Sequence, residues 1–399
     1  MPLQNSLCNM ELIGFPANET ALRKIFQQMV ETMKKLELKI YEMHGGKFNL
    51  GSTSAVAKVL GLHRKASGRI STSRQILEKI DSPISQAIIS YRKLSATLAK
   101  NIQPLLKCVR KDRIHGQSIT YTQTGRISMT EPNLQNVAKD FVIDFGGVEN
   151  VVISCRSAFF QRRVAAACCH PIFVSLKCDP ALLKVMNTER DIFTAIAARW
   201  HKLAESDVSQ QLRDGTKQIC YGIVYGMGMH SLADALKCTE QEASSLSQQF
   251  HLAYPGIRAY TDKVVKFARN NGYIETITGR RRYLEHINSG EPQQKKQAER
   301  QAINSTIQGS AADIAKNAIL RMEKNIEKYR DKLGITKANA VRFVLHIHDE
   351  LVFEVPTDRA RKVAKILSLT MENCVKLSVP LKVKLKMGES WAELQEIKL

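Results

Sequence analysis

The chain has 399 residues, 44% hydrophobic and 24% charged, an ordinary globular balance with length for two or three subdomains. Lys and Arg number 59 against 38 Asp and Glu, a net charge of +21; such a surplus points to a polyanionic partner, nucleic acid first, with a ribosome-associated, membrane-surface or merely solvated basic protein as plainer readings. No apolar run approaches the roughly 20 residues that cross a bilayer, which excludes a membrane-spanning helix, and Met1 to Ala17 lacks the basic stretch and apolar core of a secretory signal.

Taken in order, residues 1–17 read as a tail. Residues 18–60 read as helix, with Leu22, Ile25, Phe26, Met29, Met33, Leu36 and Ile40 at spacings of three and four, Asn18 or Thr20 to cap it, and Gly45-Gly46 to break it. The basic stretch 61–70 reads as an exposed loop. Thr72 to Gln75 has the S/T-x-x-Q form that opens a helix, and a further helix runs from Ser82-Pro83 to about Val109. Two long helices beside a basic loop make either a duplex clamp or a plain helical hairpin.

From 111 to 145 the sequence is β-like and rich in turns. Residues 205–270 are helical, 271–287 read as a hairpin, and Gln294 to Tyr329 as one long helix. Val341 to Val355 alternates and forms two strands around a tight turn; Arg359 to Val375 is helix and Pro380 to Met387 strand. The nine cysteines form no CxxC pair, and an odd count without a signal argues for free thiols that are structural or incidental.

The most informative stretch is RDGTKQICYGIVYG, Arg213 to Gly226. Arg213, Lys217 and Tyr221 are four apart and share one helix face. Two cations can neutralise a triphosphate and the ring can pack on sugar and base, while Gly222 and Gly226 allow close approach of another chain or a base. Charges at this spacing are otherwise a solvated face.

The form R-x-x-x-K-x-x-x-[FY]-G-x-x-Y-G resembles the fingers helix of A-family DNA polymerases. TQTGRISMTEPNLQN (Thr122 to Asn136), ERQAINSTIQGSAAD (Glu299 to Asp313), LHIHDE (Leu345 to Glu350) and the ending LKVKLKMGESWAEL are similar to further motifs of that family, in the same order. Within the family, KIYEMHGGKFNLGSTSAVAKVL, GRISTSRQILEKI, KQICYGIVYGMG and GRRRYL are nearest to the theta branch, with nu second.

The resemblance implies an α+β, right-hand fold: a thumb over 18–110, a palm split between 111–187 and 288–399, and fingers over 188–287. It implies template-directed DNA synthesis with two Mg²⁺ ions, deoxynucleoside triphosphates and primed template DNA, in double-strand-break repair and in the nucleus. Neither a nuclease nor a helicase motif is found, so a fragment or stand-alone module without proofreading is expected. Asp349 would ligate metal with Glu350 in support; Arg213 and Lys217 would hold the triphosphate, Lys217 also donating a proton to the leaving pyrophosphate. Tyr221 would meet the sugar and base, and Tyr225 the template base. Arg126, Gln308 and His348 would read minor-groove acceptors common to all correct pairs; Asn133, Gln135, Asn136, Arg300 and Asn304 complete the implied DNA contacts. His346 stands where the family usually has glutamine.

One motif departs. The family's D-[YF]-S-x-[IL]-E-L-R, which carries the second metal-binding aspartate, belongs between the T-G-R segment and the fingers, where this chain reads FQRRVAAACCHP. Counting back from Asp179-Pro180 places Val164 at the aspartate and Cys169 at the glutamate. Three explanations stand open: a misplaced exon boundary, a catalytically impaired primed-DNA-binding paralogue, or a site completed by another carboxylate.

Overall fold

The computed structural model describes residues 2–62, 70–145, 150–168, 183, 191–224, 226–336, 340–347, 349–377 and 381–398; for 160–168 and Val224 the backbone alone is described. The first 17 residues are not a tail. Helix α1 (Pro2–Ile13) buries Leu7 and Met10, and strand β1 (Phe15–Pro16) inserts Phe15 between Phe159 and Trp391, with ring centroids 5.1 and 5.3 Å apart. Leu3, Leu7 and Met10 fall on one helical stripe, but too short a one to stand out without a cap or flanking charges.

Helix α2 (Glu19–His44) starts at Asn18, whose side chain accepts from the amide of Ala21 at 2.9 Å, and ends at Gly45 with φ +77. It therefore stops well short of residue 60; a separate helix, α3 (Thr53–Val59), is capped by Ser52. The S/T-x-x-Q box at Thr72 does not form. Thr72 is buried and accepts from Arg92, and the short α4 (Arg74–Leu77) begins at Ser73 without a side-chain cap. Helix α5 (Pro83–Thr97) passes through a π-turn at Leu98–Ile102 into α6 (Gln103–Cys108). The far ends of α2 and α5 enclose a small core of their own around Ile40, Leu50, Val56, Leu77 and Ile88, whereas Leu22 to Leu36 of α2 belong to the main core.

Short antiparallel pairs follow: β2 (Val109–Arg110) with β3 (Arg113–Ile114), which also pairs β1; β4 (Gln117–Ile119) with β5 (Ser128–Thr130); β6 (Phe141–Asp144) with β7 (Asn150–Ile153). Strand β8 (Phe160–Cys168) enters the central sheet. A helical block comes next: α7 (Ile192–His201), α8 (Gln210–Val224), α9 (Met229–Leu236), α10 (Glu240–Ala253) and α11 (Pro255–Asn271). Its core of Phe193, Ile219, Leu232, Phe250 and Tyr254 is closed by Ile303 and Ile307 of the long helix α12 (Pro292–Lys328). The hairpin β9 (Tyr273–Glu275) and β10 (Arg281–Tyr283) joins α11 to α12.

The central antiparallel sheet has the order β11 (Arg342–Ile347), β12 (Glu350–Glu354), β8, β13 (Val383–Ser390), β14 (Gln395–Ile397), with α13 (Ala360–Glu372) across β8 and β13. The expected alternation along 341–355 is replaced by continuous burial, Phe343 to Ile347 and Leu351 to Phe353, because the sheet is covered on both faces. Burying three such side chains on β12 contributes roughly 1.5–3 kcal/mol each, which fixes the β11–β12 turn to a rigid base.

Candidate functional site

That turn carries Asp349, half-buried, directly before Glu350, which pairs with Ile347. Glu350 Oε1 lies 3.6 Å from Lys386 Nζ on β13. Arg156, desolvated by burial, feels the charges of Glu350 and Asp140 and stacks on Trp391 at 4.3 Å. His348 lies outside the described residues.

The register of β8 changes where a partner for Asp349 belongs. Val164 pairs with Phe353, while Ala167 pairs with Glu350. Val164 is thus four strand positions from the turn, roughly 13 Å along the strand, and the backbone position level with Asp349 is Cys168. The count back from Asp179-Pro180 misplaced it because it assumed a fixed length for a segment whose sequence differs from the motif. The expected glutamate position, Cys169, is outside the described residues. No aspartate or glutamate occurs on β8, and no group of three His, Cys, Asp or Glu among the described residues could hold a metal ion. Among the described residues the acidic turn offers Asp349 and Glu350 alone, the latter facing Lys386.

Helix α8 presents Arg213, Lys217 and Tyr221 on one side, as their spacing requires. Arg213 is already engaged: Nε and Nη2 donate to Asp191 Oδ1 and Oδ2 at 3.1 and 2.9 Å, and Nη1 to Asp214 Oδ1 at 2.9 Å. Asp191 also caps α7, accepting from the amide of Thr194. Partial burial opposes its ionisation, but Arg213 and Thr194 outweigh this and bring its carboxyl down to about 2. Lys217 has no carboxylate within ion-pair distance among the described residues; its Nζ sits 5.8 Å from the Phe193 ring centre and 6.0 Å from that of Tyr221. Asp191 and Phe193 were not singled out from the sequence, since they come from another helix. The neighbour at Gly222 is the chain's own Leu232, 2.7 Å from where a Cβ would stand; at Gly226 (φ +64) it is Arg300 Cγ, at 3.3 Å. Tyr225 lies outside the described residues.

Arg300, Asn304 and Gln308 follow one another at four-residue intervals along α12. Arg300 is exposed, and Asn304 Oδ1 is shielded from solvent without a donor among the described residues. Gln308 precedes Gly309, which packs against Thr276, Arg280 and the carbonyl of Thr124. Arg126 is half-buried in the turn that follows Thr122, whose hydroxyl donates to the Arg126 carbonyl at 2.7 Å. The other segment residues have internal duties. Asn133 Oδ1 accepts from the Gln135 amide, and the Gln135 side chain donates to the carbonyls of Ile127 and His346 at 3.0 and 2.9 Å, tying the loop to β11. Asn136 is exposed.

An antiparallel sheet with an acidic hairpin tip, joined through one long helix to a helical block with a cationic face, is the architecture of the right-hand polymerases. The family model for DNA polymerase family A matches residues 19–393, and the chain belongs to that family. It is 64% identical over 405 residues to DNA polymerase theta of Drosophila melanogaster, covering 100% of this chain and 20% of that protein. It is 33% identical to the theta polymerase of Mus musculus, covering 99% and 20%, and 30% identical to the thermostable DNA polymerase I of Thermus aquaticus, covering 99% and 48%. Among solved structures, the POL domain of Pol1 from M. smegmatis in complex with DNA primer-template and dNTP superposes with a TM-score of 0.86 at 29% identity, covering 98% of this chain and 70% of that one. The chain thus spans about a fifth of the length of the theta relatives.

Proposed function

We propose that this chain is the polymerase module of a theta-like enzyme that copies a DNA template onto a primer with deoxynucleoside triphosphates, acting in double-strand-break repair in the nucleus. The observation that carries the reading is Lys217: a lysine without a described carboxylate partner, about 6 Å from the packed ring pair of Phe193 and Tyr221 on the cationic helix of an A-family fold. An ammonium there attracts a triphosphate and can pass a proton to the departing pyrophosphate. Arg213, steadied by Asp191, adds the second cation. The primer-template DNA and dNTP of the M. smegmatis complex support the same substrates. In this reading 18–110 form the thumb, 111–187 and 288–399 the palm and 188–287 the fingers, with Arg126, Gln308 and His348 at the primer end and Arg300, Asn304 and Tyr225 at the template.

Family membership makes divalent-metal chemistry, with Mg²⁺ as the ion, part of the proposal, yet the described residues supply Asp349 and Glu350 and no third carboxylate. The sequence FQRRVAAACCHP, where the family's D-[YF]-S-x-[IL]-E-L-R belongs, is what favours a second reading, a module that grips primed DNA with impaired chemistry. Lys217→Ala tests the nucleotide role common to both: triphosphate affinity should fall roughly tenfold or more, with primed-duplex affinity nearly unchanged, both measured by fluorescence. Equal loss of the two, or of neither, would remove Lys217 from this role.

A further inference from the structure

Arg280, at the β9–β10 hairpin, joins three segments distant in sequence. Its Nε donates to Asp313 Oδ1 on α12 at 3.0 Å. Its Nη2 donates to the carbonyl of Thr124, in the turn before Arg126, at 2.8 Å and to that of Gly309 at 3.2 Å. Asp313 is buried, and its other oxygen accepts from Thr278 Oγ1 at 2.7 Å, so the carboxylate is held in place from the hairpin as well. Glycines flank the guanidinium on two sides. A Cβ at Gly125 would lie 2.5 Å from Arg280 Cζ, and one at Gly309 3.1 Å from Nη2. Gly125 also has φ +78, which disfavours a side chain there independently. The two glycines adjoin Arg126 and Gln308 in sequence, so the guanidinium sits one residue away from both.

We infer that Arg280 is a positioning residue: its guanidinium locks the Thr122–Arg126 turn onto α12, so that Arg126 and Gln308 form one rigid reading edge at the primer terminus. The inference rests on the proposed role of those two residues. It depends on the planar fork rather than on charge, since donors fixed in one plane meet a carboxylate and two carbonyls together, whereas a lysine is a point charge on a flexible stem.

The test is the ratio of affinities for primed duplex with a paired and a mispaired primer terminus, a quantity from which any unfolded fraction cancels. The unmodified chain should prefer the paired end by roughly tenfold, the scale of one hydrogen bond to a charged group. Arg126→Ala and Arg280→Lys should each bring the ratio close to one, and the double variant should lower it no further. Gly309→Ala, whose methyl would meet Thr276 Cγ2 at 2.6 Å, Nη2 at 3.1 Å and the Thr124 carbonyl at 3.3 Å and so wedge the turn from α12, should erode the ratio in the same direction and serves if Arg280→Lys does not fold. An unmodified ratio in Arg280→Lys, with Arg126→Ala reduced, overturns the positioning role alone. An unchanged ratio in Arg126→Ala overturns the primer-end reading, and the inference with it.

Discussion

Arg213 and Lys217 stand one turn apart on α8 but are held differently. Arg213 is fastened at two oxygens of Asp191, while Lys217 is bounded by rings and left without a described carboxylate. The division suits a nucleotide site, in which one cation is preorganised and the other is available to move with a proton. Asp191 has its folded pKa lowered from 3.8 to about 2. A depressed carboxylate contributes stability that is fully present above its unfolded value, near 3.9, and that is lost as pH falls through the folded value. The Asp191–Arg213 pair should therefore weaken only in the window from about pH 4 down to about 2. A carboxyl NMR titration should place the Asp191 midpoint near 2, moving toward 3.8 in Arg213→Ala; a midpoint near 3.8 in the unmodified chain would contradict the pairing. At this scale the sequence was legible where partners are local: a four-residue spacing on a true helix put Arg213, Lys217 and Tyr221 on one side. It was not legible where the partner is on another element, as with Phe193 beside Lys217, or with Gln135, whose amide is used up on the carbonyls of Ile127 and His346.

Among the elements, β12 and β8 matter most. Continuous burial of β12 makes the Asp349 turn a rigid platform, and the β8 register makes Cys168, not Val164, the position level with it. Cys168→Asp should therefore tighten Mn²⁺ binding by at least several-fold, and Val164→Asp should not, because paired strand positions lie about 5 Å apart whereas Val164 is displaced by four residues. Electron paramagnetic resonance of free Mn²⁺ reads this directly; equal tightening by the two variants would show that the register is wrong. The long helices α2 and α12 were legible as helices, α2 from its hydrophobic period, and the β11–β12 hairpin from its tight turn, although its expected alternation gave way to continuous burial. Helix α1 was missed for its short stripe. The Thr72 box failed because a buried threonine satisfied its hydroxyl with Arg92 rather than with the helix start. Register, the fact that decides the fate of Val164, arises from pairing between segments nearly 190 residues apart and leaves no local trace in the sequence.

For the whole molecule, a charge of +21 together with the proposed role at primed DNA predicts binding dominated by phosphate contacts and counterion release. The affinity for primed DNA should fall steeply and log-linearly with salt, by roughly a thousandfold or more between 50 and 200 mM if six or more phosphates are neutralised; a flat response would mean that the basic surface is not a DNA footprint. Gripping and chemistry divide here: the proposed DNA and nucleotide contacts rest on residues the chain has, while the acidic turn has no second aspartate beside it among the described residues. Losing such electrostatic stabilisation of developing charge commonly costs several kcal/mol, on the order of a thousandfold in rate. Single-turnover primer extension by the unmodified chain, with Mg²⁺ and all four deoxynucleoside triphosphates and beside Asp349→Ala, tests this most directly. Tight DNA binding with little or no extension by either protein is the result predicted by the reading of impaired chemistry; robust extension by the unmodified chain, abolished by Asp349→Ala, would contradict that reading, bear out the copying enzyme and show that another carboxylate completes the site.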